Sequence, residues 1–555
     1  MTRRTVAQLA LGLVLPAAAC SGDHPAGPDP LAACGSRATP ITLAVGAYIS
    51  IDPASDSGCV TFPANAAADS AEYLVVPQSV ADTGQTAPFQ LRGAALGATA
   101  PLAALAPPTP AQSSSVATAF DGLLRSLARR RSYTVPPARG RSPAPAAAPA
   151  AVAASPPVLG TLRTFTVCDT LDCHSFKNVG ARVKAVGAHI AIYVDTLAPA
   201  AGLDSADLDT LKQEFDSRLY PLDSAAFGSV SDLDSNTVVI VLMTNVVNQL
   251  VTRSRCASAG YVAGFFFSAD LDPAFASRFN HGEIFYSIVA DSTGTLSCAH
   301  TATDVKQHTP STFTHEFQHM INFVQHALVR NAQPEVGWLD EGLSKYAEEL
   351  AGRSYLPGDR AGFTRYALDP VYDAYQYLSA TGNSALEIPE DNGTIGEIGA
   401  SWLFARYLVD QFGDSLPHRL VNSARSGRSN VAAQTGEPFD ATLTHWALAN
   451  WVSDLAVPGF TVPPELHYTS WSFRTTYQSL NSQDPGDFPR AFPLVPAASG
   501  GDAVSLSGVL RSGSGAYQRA LQRGGAAGFA LIFSGSGGAP LPPAVAPRLT
   551  IIRIR

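Results

Sequence analysis

The sequence His-Glu-x-x-His at residues 315–319 constrains this chain more than any other feature. Two histidines four residues apart lie on one face of a helix, about 6 Å apart along its axis, so both imidazoles can reach one metal ion. Glu316, between them, projects close enough to act on a water molecule at that metal. Catalytic zinc usually takes three protein ligands and leaves the fourth position for water. The motif therefore predicts a zinc site that contains His315 and His319 and needs one further ligand.

A second helix, with the sequence WLDEGLSKYAEEL at 338–350, is the expected source of the third ligand. It is predicted to begin near Pro334 or Glu335. The 21 residues between His319 and Glu341 suit a helix, a reversal and a second helix that crosses beneath the first. The acidic side chains of this region are the candidate ligands: Glu335, Asp340, Glu341 and Glu348.

The helix that carries the motif is predicted to start at Thr309 or Ser311, either of which can cap it, with Pro310 in the first turn. His326 lies about three turns from His315, too far along the axis to share its metal, and is interpreted as structural. Apolar residues at helical spacing are expected to form the buried face: Phe313, Phe317, Met320, Ile321, Val324 and Leu328.

The sequences HEFQH and WLDEGLS resemble the gluzincin metallopeptidases, in which His-Glu-x-x-His is followed by Glu-Gly on a second helix. The longer match, THEFQHMINF with WLDEGLS close behind, is most similar to the hyicolysin-type family of secreted bacterial metallopeptidases. This resemblance implies a zincin-like domain, in which a twisted sheet lies over helices at roughly 310–455 with the cleft between them. Asp340 is a candidate to orient one ligating histidine. The resemblance also implies zinc as the cofactor, Glu316 as the general base and three ligands, His315, His319 and Glu341.

Two elements of the gluzincin aminopeptidases are missing from the sequence. The Tyr-x-x-Gly that supplies their oxyanion-stabilising tyrosine is replaced by GEIG at 396–399. The Gly-x-Met-Glu-Asn element that holds a substrate's free amine is absent from the sequence. Both differences favour an endopeptidase. The oxyanion donor, which typically contributes on the order of a hundredfold in rate, stays open among Tyr372, Tyr375, Tyr377 and His445.

The first 20 residues have the layout of an export signal, with a charged start, an apolar stretch over 6–15 and small residues before Cys20. This arrangement resembles a bacterial lipoprotein signal, in which Cys20 is lipidated, although such signals prefer Leu where this chain has Ala17. The start also weakly resembles a twin-arginine signal. The alternative is plain signal-peptidase cleavage near Ala19. Because an unpaired cysteine is unusual in an exported chain, the lipoprotein is favoured.

Six cysteines remain besides Cys20, an even number that indicates disulfides in an oxidising compartment. None has the C-x-x-C spacing of a structural zinc site. Their order along the chain favours pairing between neighbours, Cys34 with Cys59, Cys168 with Cys173, and Cys256 with Cys298.

A chain of 555 residues is too long for one ordinary core and is predicted to be an α+β multidomain protein. Short strands between turns, the first of the C-terminal ones at Trp471–Leu480, predict β-sandwich-like domains on both sides of the zincin-like domain. Proline- and alanine-rich sequence with one helix at Ser113–Tyr133 predicts a linker. The predicted divisions are the signal at 1–20, the N-terminal domain at 21–108, the linker at 109–158, the catalytic domain at 159–480 and the C-terminal domain at 481–555.

Three further segments have two interpretations. The sequence GEIFYSIVAD at 282–291 is either the sheet edge along which an extended substrate pairs or, as favoured, an ordinary strand. The sequences DSADLD at 204–209 and SDLDSN at 231–236 suggest calcium as a second cofactor. Neither has the EF-hand layout, so helix caps are the preferred explanation and calcium is left unsupported.

The net charge and hydropathy exclude some partners. A formal charge of −9 and a pI near 5.7 argue against nucleic acid. Apart from the N-terminal stretch, no apolar segment approaches the length that spans a bilayer, so membrane contact is expected only through a lipid on Cys20.

Together these features predict a zinc-dependent endopeptidase that hydrolyses polypeptides outside the cytoplasm. It is expected as a bacterial cell-envelope lipoprotein, on the outer membrane or cell surface, or as a secreted protein. A competing prediction is a surface-binding lipoprotein whose metallopeptidase-like domain is catalytically inactive. A zinc hydrolase of non-peptide substrates is a third. No oligomeric state is predicted.

Overall fold

The computed structural model describes Cys34 and residues 40–53, 58–82, 84–96, 115–136, 155–388 and 393–555. This part of the chain is a mixed α+β fold with a five-stranded, a four-stranded and a six-stranded sheet, as the sequence predicts for the fold class. The predicted export signal and Cys20 lie outside the described residues. Within those ranges, no helix combines the length and the hydropathy that crossing a membrane requires.

The described residues contain fifteen strands and thirteen α-helices, and two π-helical turns, Phe215–Leu219 and Val324–Val329, continue helices. The strands are β1 (Tyr48–Ile51), β2 (Cys59–Phe62), β3 (Ala71–Ser79), β4 (Thr86–Ala95), β5 (Leu162–Cys168), β6 (Phe176–Val186), β7 (Ile190–Asp195), β8 (Val239–Met243), β9 (Gly264–Phe266), β10 (Ile284–Ser287), β11 (Ala497–Gly500), β12 (Ser505–Arg511), β13 (Gln518–Gln522), β14 (Phe529–Ser534) and β15 (Pro547–Arg553). The helices are α1 (Val116–Arg130), α2 (Ser205–Glu214), α3 (Tyr220–Phe227), α4 (Asn245–Gln249), α5 (Arg253–Ala259), α6 (Ala302–Phe323), α7 (Gly337–Arg353), α8 (Arg360–Ser379), α9 (Ile395–Phe412), α10 (Leu416–Val421), α11 (Gly427–Thr435), α12 (Phe439–Val452) and α13 (Phe473–Gln483).

Strands from both ends of the chain form one β-sandwich. Its sheets have the orders β1-β15-β3-β13-β11 and β12-β4-β14-β2. The C-terminal β15 lies between two N-terminal strands, with Leu549 opposite Ile51 and Ile551 opposite Val75. Apolar side chains of the N-terminal strands, such as Phe62, therefore form one hydrophobic core with those of the C-terminal strands.

This pairing corrects the prediction of separate N-terminal and C-terminal β domains. Strand segments can be recognised from local alternation, but their partners are set by contacts between residues about 500 positions apart, as for Ile51 and Leu549. The strand predicted at Trp471–Leu480 is also wrong, because this segment forms most of helix α13. Phe473 and Tyr477, four residues apart, are both buried on one face of that helix, with their rings stacked at 5.8 Å.

The six-stranded sheet has the order β5-β6-β7-β8-β10-β9. Strands β7, β8 and β10 are parallel, whereas β9 runs antiparallel to β10 at the edge. The segment at 282–291 therefore forms an inner strand, as favoured, and the edge strand is the preceding GFF sequence of β9. The four residues of β10 are all buried, as expected for a strand with a neighbour on each side.

Helix α6, which carries the His-Glu-x-x-His sequence, begins earlier than predicted. Thr301 caps it, and Thr301 and Asp304 form a reciprocal capping box. This box binds the first free backbone N–H groups, so the helix starts at Ala302 and Pro310 lies inside it. The predicted caps at Thr309 and Ser311 are wrong for this reason.

Helices α7, α8 and α9 pack closely because glycines lie at their contacts. A Cβ atom at Gly342 would lie 2.6 Å from the Ser401 carbonyl oxygen of α9. At Gly399 it would lie 2.0 Å from the Asp373 carbonyl oxygen of α8. The Gly of the Glu-Gly pair thus lets α9 support the helix turn that carries Glu341.

Three disulfides join the cysteine pairs that the sequence order favours. The Cα–Cα distances are 5.6 Å for Cys34–Cys59, 5.1 Å for Cys168–Cys173 and 5.9 Å for Cys256–Cys298. These separations lie within the range of ordinary disulfides.

Candidate metal centre

Three side chains from helices α6 and α7 converge on one point. The Nε2 atoms of His315 and His319 are 3.1 Å apart. Glu341 places Oε2 3.5 Å from Nε2 of His315 and Oε1 3.4 Å from Nε2 of His319. One potential ligand atom from each residue lies within 4.8 Å of the others. Of the four acidic candidates, the structure thus brings Glu341 to the Nε2 atoms of both histidines.

The opposite nitrogens of both imidazoles face carboxylates. Nδ1 of His315 lies 2.8 Å from Oε1 of Glu348, and Nδ1 of His319 lies 3.1 Å from Oδ2 of Asp340. Each carboxylate favours the tautomer with the proton on Nδ1, which leaves the Nε2 lone pair free for a metal. Asp340 therefore lies where a residue that orients a histidine was expected.

The matching contact of Glu348 with Nδ1 of His315 was not predicted from the sequence. A signal for it was present, because Glu348 follows Glu341 by seven residues, two helical turns, and so lies on the same face of α7. Ser311 Oγ donates to the second oxygen of Glu348 at 2.8 Å, and Lys345 Nζ lies 3.3 Å from the first. Glu348 is thus held in place by partners from both helices.

The three converging groups fit a zinc ion. With Nδ1 protonated, the two Nε2 lone pairs face each other at 3.1 Å, which is repulsive unless a cation lies between them. Two nitrogens bound tetrahedrally to zinc at about 2.0–2.1 Å are about 3.3 Å apart. Glu341 Oε1 is buried and has no hydrogen-bond partner among the described residues. Two imidazoles and one carboxylate are a donor set that zinc prefers.

The carboxylates around His315 and His319 favour a positive charge at the centre. Burial lowers the pKa of His315, but hydrogen bonds to Glu341 and Glu348 and the charge of Glu316 raise that pKa well above its usual value. Burial raises the pKa of Glu341, but the charges of the nearby His319 and His315 hold it well below its usual value. A divalent cation at the same place satisfies the same carboxylates.

Glu316 lies in the next position to the first histidine and is only 4% exposed. Its Oε2 atom is buried without a hydrogen-bond partner in the described part of the chain. An unengaged carboxylate oxygen in a site of this kind is available to accept a proton.

Helix α1, predicted as part of a linker, packs against this centre. Arg125 Nη1 lies 3.5 Å from Oδ2 of Asp340, and Arg125 Nη2 donates to the Phe266 carbonyl oxygen at 3.2 Å. Asp121, one turn earlier, lies within electrostatic reach of His315, Glu316 and Glu341. Sequence reasoning missed both residues. Their spacing of four, next to the apolar stripe of α1, was the available signal.

The other predicted candidates lie elsewhere. Glu335 accepts hydrogen bonds from the Gly427 backbone N–H at 2.6 Å and from Asn430 at 2.9 Å. His326 is buried 3.9 Å from Glu335, which agrees with a structural role. Tyr375 accepts a hydrogen bond from the Arg490 backbone N–H. Within the described residues, no hydrogen bond links any of the candidate oxyanion donors to the centre: Tyr372, Tyr375, Tyr377 and His445.

Comparison with known proteins gives one partial match. No protein-family model matches the chain. The chain is similar to the neutral metalloprotease ShpI of Staphylococcus hyicus, with 24% identity over 256 residues. The matched region is 46% of this chain and 52% of the relative, so the chain spans about half the length of the curated relative it matches. This similarity supports a metallopeptidase.

Proposed function

We propose that this protein is a zinc-dependent endopeptidase that hydrolyses polypeptides outside the cytoplasm. The observation that carries the proposal is the convergence of His315, His319 and Glu341 beside the unpartnered carboxylate of Glu316. The similarity to a neutral metalloprotease supports the same reaction class. In this proposal residues 159–480 form a zincin-like catalytic domain.

His315, His319 and Glu341 would hold the zinc ion, which when bound supplies a Lewis acid for the scissile carbonyl and for the attacking water. Glu316 accepts the proton of the attacking water and passes it to the leaving amine. Asp340 holds the ring of one ligating histidine in the productive tautomer, as Glu348 does for the other.

Endopeptidase activity is favoured over aminopeptidase activity for two reasons. The sequence lacks the element that binds a substrate's free amine, and it lacks the corresponding tyrosine at 396–399. The alternative function is a surface-binding protein whose metallopeptidase-like domain is catalytically inactive. The centre gives it no support, because the general-base candidate and all three ligand candidates are present and close together.

The proposal is tested by measuring bound zinc and casein cleavage on the same preparations of wild type and Glu316→Gln. The variant keeps the shape of the site and should retain zinc, whereas cleavage should fall on the order of a hundredfold or more. Zinc retention with unchanged cleavage would remove Glu316 from the mechanism. Absence of both zinc and cleavage in the wild type, after loading with zinc, would refute the proposed function.

We infer export from the predicted signal and the three disulfides. In this proposal Cys20 carries the lipid that anchors the protein to the cell envelope. Metabolic labelling with palmitate tests the anchor, since Cys20→Ser should lose the label and appear in the medium. An unlabelled wild type would instead indicate a secreted protein.

A further inference from the structure

The proposed catalytic centre is almost completely shielded from solvent. The exposed fractions are 9% for His315, 4% for Glu316, 1% for His319 and 4% for Glu341. A polypeptide substrate must bring its scissile bond to this centre. The elements that close the approach to the centre therefore decide whether a substrate enters.

Helix α1 occupies the edge of the six-stranded sheet beside this centre. The ring of Phe120 packs edge-on against Phe265 of β9 with centroids 5.3 Å apart. Arg125 Nη2 donates to the carbonyl oxygen of Phe266, also in β9. Strand β9 pairs with β10 on one side, and its other side is where an extended peptide would add to the sheet. The Arg125 side chain thus binds a backbone carbonyl oxygen that a substrate strand would otherwise use as its hydrogen-bond acceptor.

The same helix also closes the approach from α7. Glu341 lines a narrow cavity that is also lined by Thr118, Gly122 and Arg125 of α1. Thr118 Oγ1 fixes the helix further by donating to the Gly393 carbonyl oxygen at 2.7 Å. Helix α1 is therefore held by contacts with β9, with α7 and with the segment before α9.

We propose that helix α1 fills the substrate groove and keeps the protein in a latent state, with Phe120 and Arg125 bound to the edge strand. This inference rests on the proposed peptidase function. The helix must leave the groove before a polypeptide can pair with β9.

The direct test is to release α1 from the full-length protein. Recognition sequences for a specific protease are inserted just before residue 115 and just after residue 136, and cleavage of a quenched peptide is measured before and after cutting. Cutting should raise kcat/KM at least about tenfold, and adding back a synthetic 115–131 peptide should restore inhibition. The same peptide with Arg125→Ala, which cannot donate to the Phe266 carbonyl oxygen, should inhibit at least about tenfold more weakly, which corresponds to the loss of about 1.4 kcal/mol.

A Phe120→Ala variant of the uncut protein provides a second readout, because it removes the ring that packs against Phe265 of β9. Its activity should exceed that of the wild type, whereas Arg130→Ala, an exposed position on the same helix, should leave activity unchanged. Equal activity before and after cutting, with no inhibition by the peptide, would overturn latency and leave the peptidase function standing. Inactivity of both the cut and uncut forms would instead count against the peptidase function.

A separate observation points to a second metal site, away from this centre. Asp232, Asp234 and Glu283 each bring a carboxylate oxygen to within 4.8 Å of the others. The first two lie in the loop before β8, and Glu283 lies just before β10. This loop does not cap a helix, in contrast to Asp204 and Asp207, which form a capping box on α2 as predicted.

The buried member of the cluster lacks a partner for one oxygen. Glu283 is 1% exposed, and its Oε1 accepts hydrogen bonds from Ser231 Oγ and from the Leu233 backbone N–H. Its Oε2 atom is buried and has no hydrogen-bond partner among the described residues, and the same holds for Oδ1 of Asp234. Buried acceptors of this kind are costly unless a cation or water satisfies them.

The charge balance fits a divalent cation. Arg163 Nη1 lies 3.5 Å from Oδ2 of Asp234. Three carboxylates with one guanidinium leave a net charge of about −2 when all are ionised. Carboxylate oxygens from a loop suit calcium, which accepts irregular oxygen coordination at about 2.3–2.6 Å. We infer that Asp232, Asp234 and Glu283 bind calcium and tie the loop before β8 to the start of β10.

Calcium binding is tested by titrating calcium alone into the zinc-loaded wild type and following heat and Tm. Saturable binding of one calcium with a rise in Tm is expected. Asp232→Asn, at an exposed position, should weaken binding at least about tenfold without loss of folding, whereas Asp209→Asn, in an exposed pair with Lys212, should bind like the wild type. Absence of saturable binding, or equal binding by Asp232→Asn, would overturn the site whatever the result for peptidase activity.

Discussion

Nδ1 of His315 lies 2.8 Å from Oε1 of Glu348, and this contact decides which nitrogen of the imidazole faces Glu341. Both carboxylates belong to α7, two helical turns apart. Glu348 orients the histidine, and Glu341 completes the proposed ligand set. One helix therefore supplies both proposed functions, and Oδ2 of Asp340 on the same helix lies 3.1 Å from Nδ1 of the other histidine.

Removing Glu348 should weaken zinc binding without removing a ligand. Glu348→Ala should lower zinc affinity by about 10–100-fold, because His315 loses the acceptor that fixes its tautomer. Glu348→Gln keeps an acceptor oxygen and should have a smaller effect. Competition with a chromogenic chelator measures both. Wild-type affinity in Glu348→Ala would contradict the orienting role.

Asp340→Asn should destabilise the metal-free protein, although the two side chains have the same size. Oδ1 of Asp340 accepts from Asn322, and Oδ2 faces both Arg125 and Nδ1 of His319. An amide has one acceptor oxygen, so one of these donors would face an N–H group. The loss should be about 1–3 kcal/mol in urea unfolding. An unchanged unfolding midpoint would show that the network contributes little to stability.

Asp223 should make the stability of the protein depend on pH in an unusual direction. It is fully buried, and burial raises its pKa well above the usual value despite the hydrogen bond that Thr314 donates at 2.7 Å. The folded state therefore holds this proton more tightly than the unfolded state, whose pKa is about 3.9. The contribution of Asp223 to stability is present near pH 4 and is lost as pH rises towards the folded pKa.

The variant Asp223→Asn isolates this contribution, because it stays neutral and can still accept from Thr314. The free energy of unfolding of wild type minus variant should fall as pH rises from about 4 to 8. Urea unfolding at several pH values measures it. A difference that does not change with pH would show that Asp223 titrates normally.

Gly342→Ala should destabilise the helix pair that supports Glu341. The added Cβ would lie 2.6 Å from the Ser401 carbonyl oxygen, so α7 and α9 must separate, at a cost of about 1–3 kcal/mol. Gly382→Ala is a matched control, because its Cβ would meet Ala516 at an ordinary 3.8 Å. Thermal unfolding compares the two. Equal stabilities would mean that α9 moves aside without cost.

The sequence predicts the parts of the centre that depend on local spacing. His315 and His319 are one helical turn apart, so their shared face follows from the motif alone. Assigning Glu341 needed the resemblance to gluzincins, because spacing alone left Glu335, Asp340 and Glu348 as candidates. The structure distinguishes them. Glu341 lies near Nε2 of both histidines, whereas Glu348 and Asp340 each lie near the Nδ1 atom of one histidine.

The parts that were missed depend on long-range contacts. The pairing of Ile51 with Leu549 joins segments that look like independent strand clusters in the sequence. Helix α1 was predicted, but its packing against the centre was not, since Arg125 reaches Asp340 across 215 positions. The buried β10 and the edge strand β9 have similar aromatic sequences, and only their order in the sheet distinguishes them.

The central claim is that His315, His319 and Glu341 bind one zinc ion. Metal analysis with chelator competition on wild type, Glu341→Gln and Glu316→Gln tests it most directly. One zinc per chain is expected in wild type and in Glu316→Gln, with affinity at least about tenfold lower in Glu341→Gln because a charged ligand is lost. Equal zinc affinity in wild type and Glu341→Gln would contradict the claim.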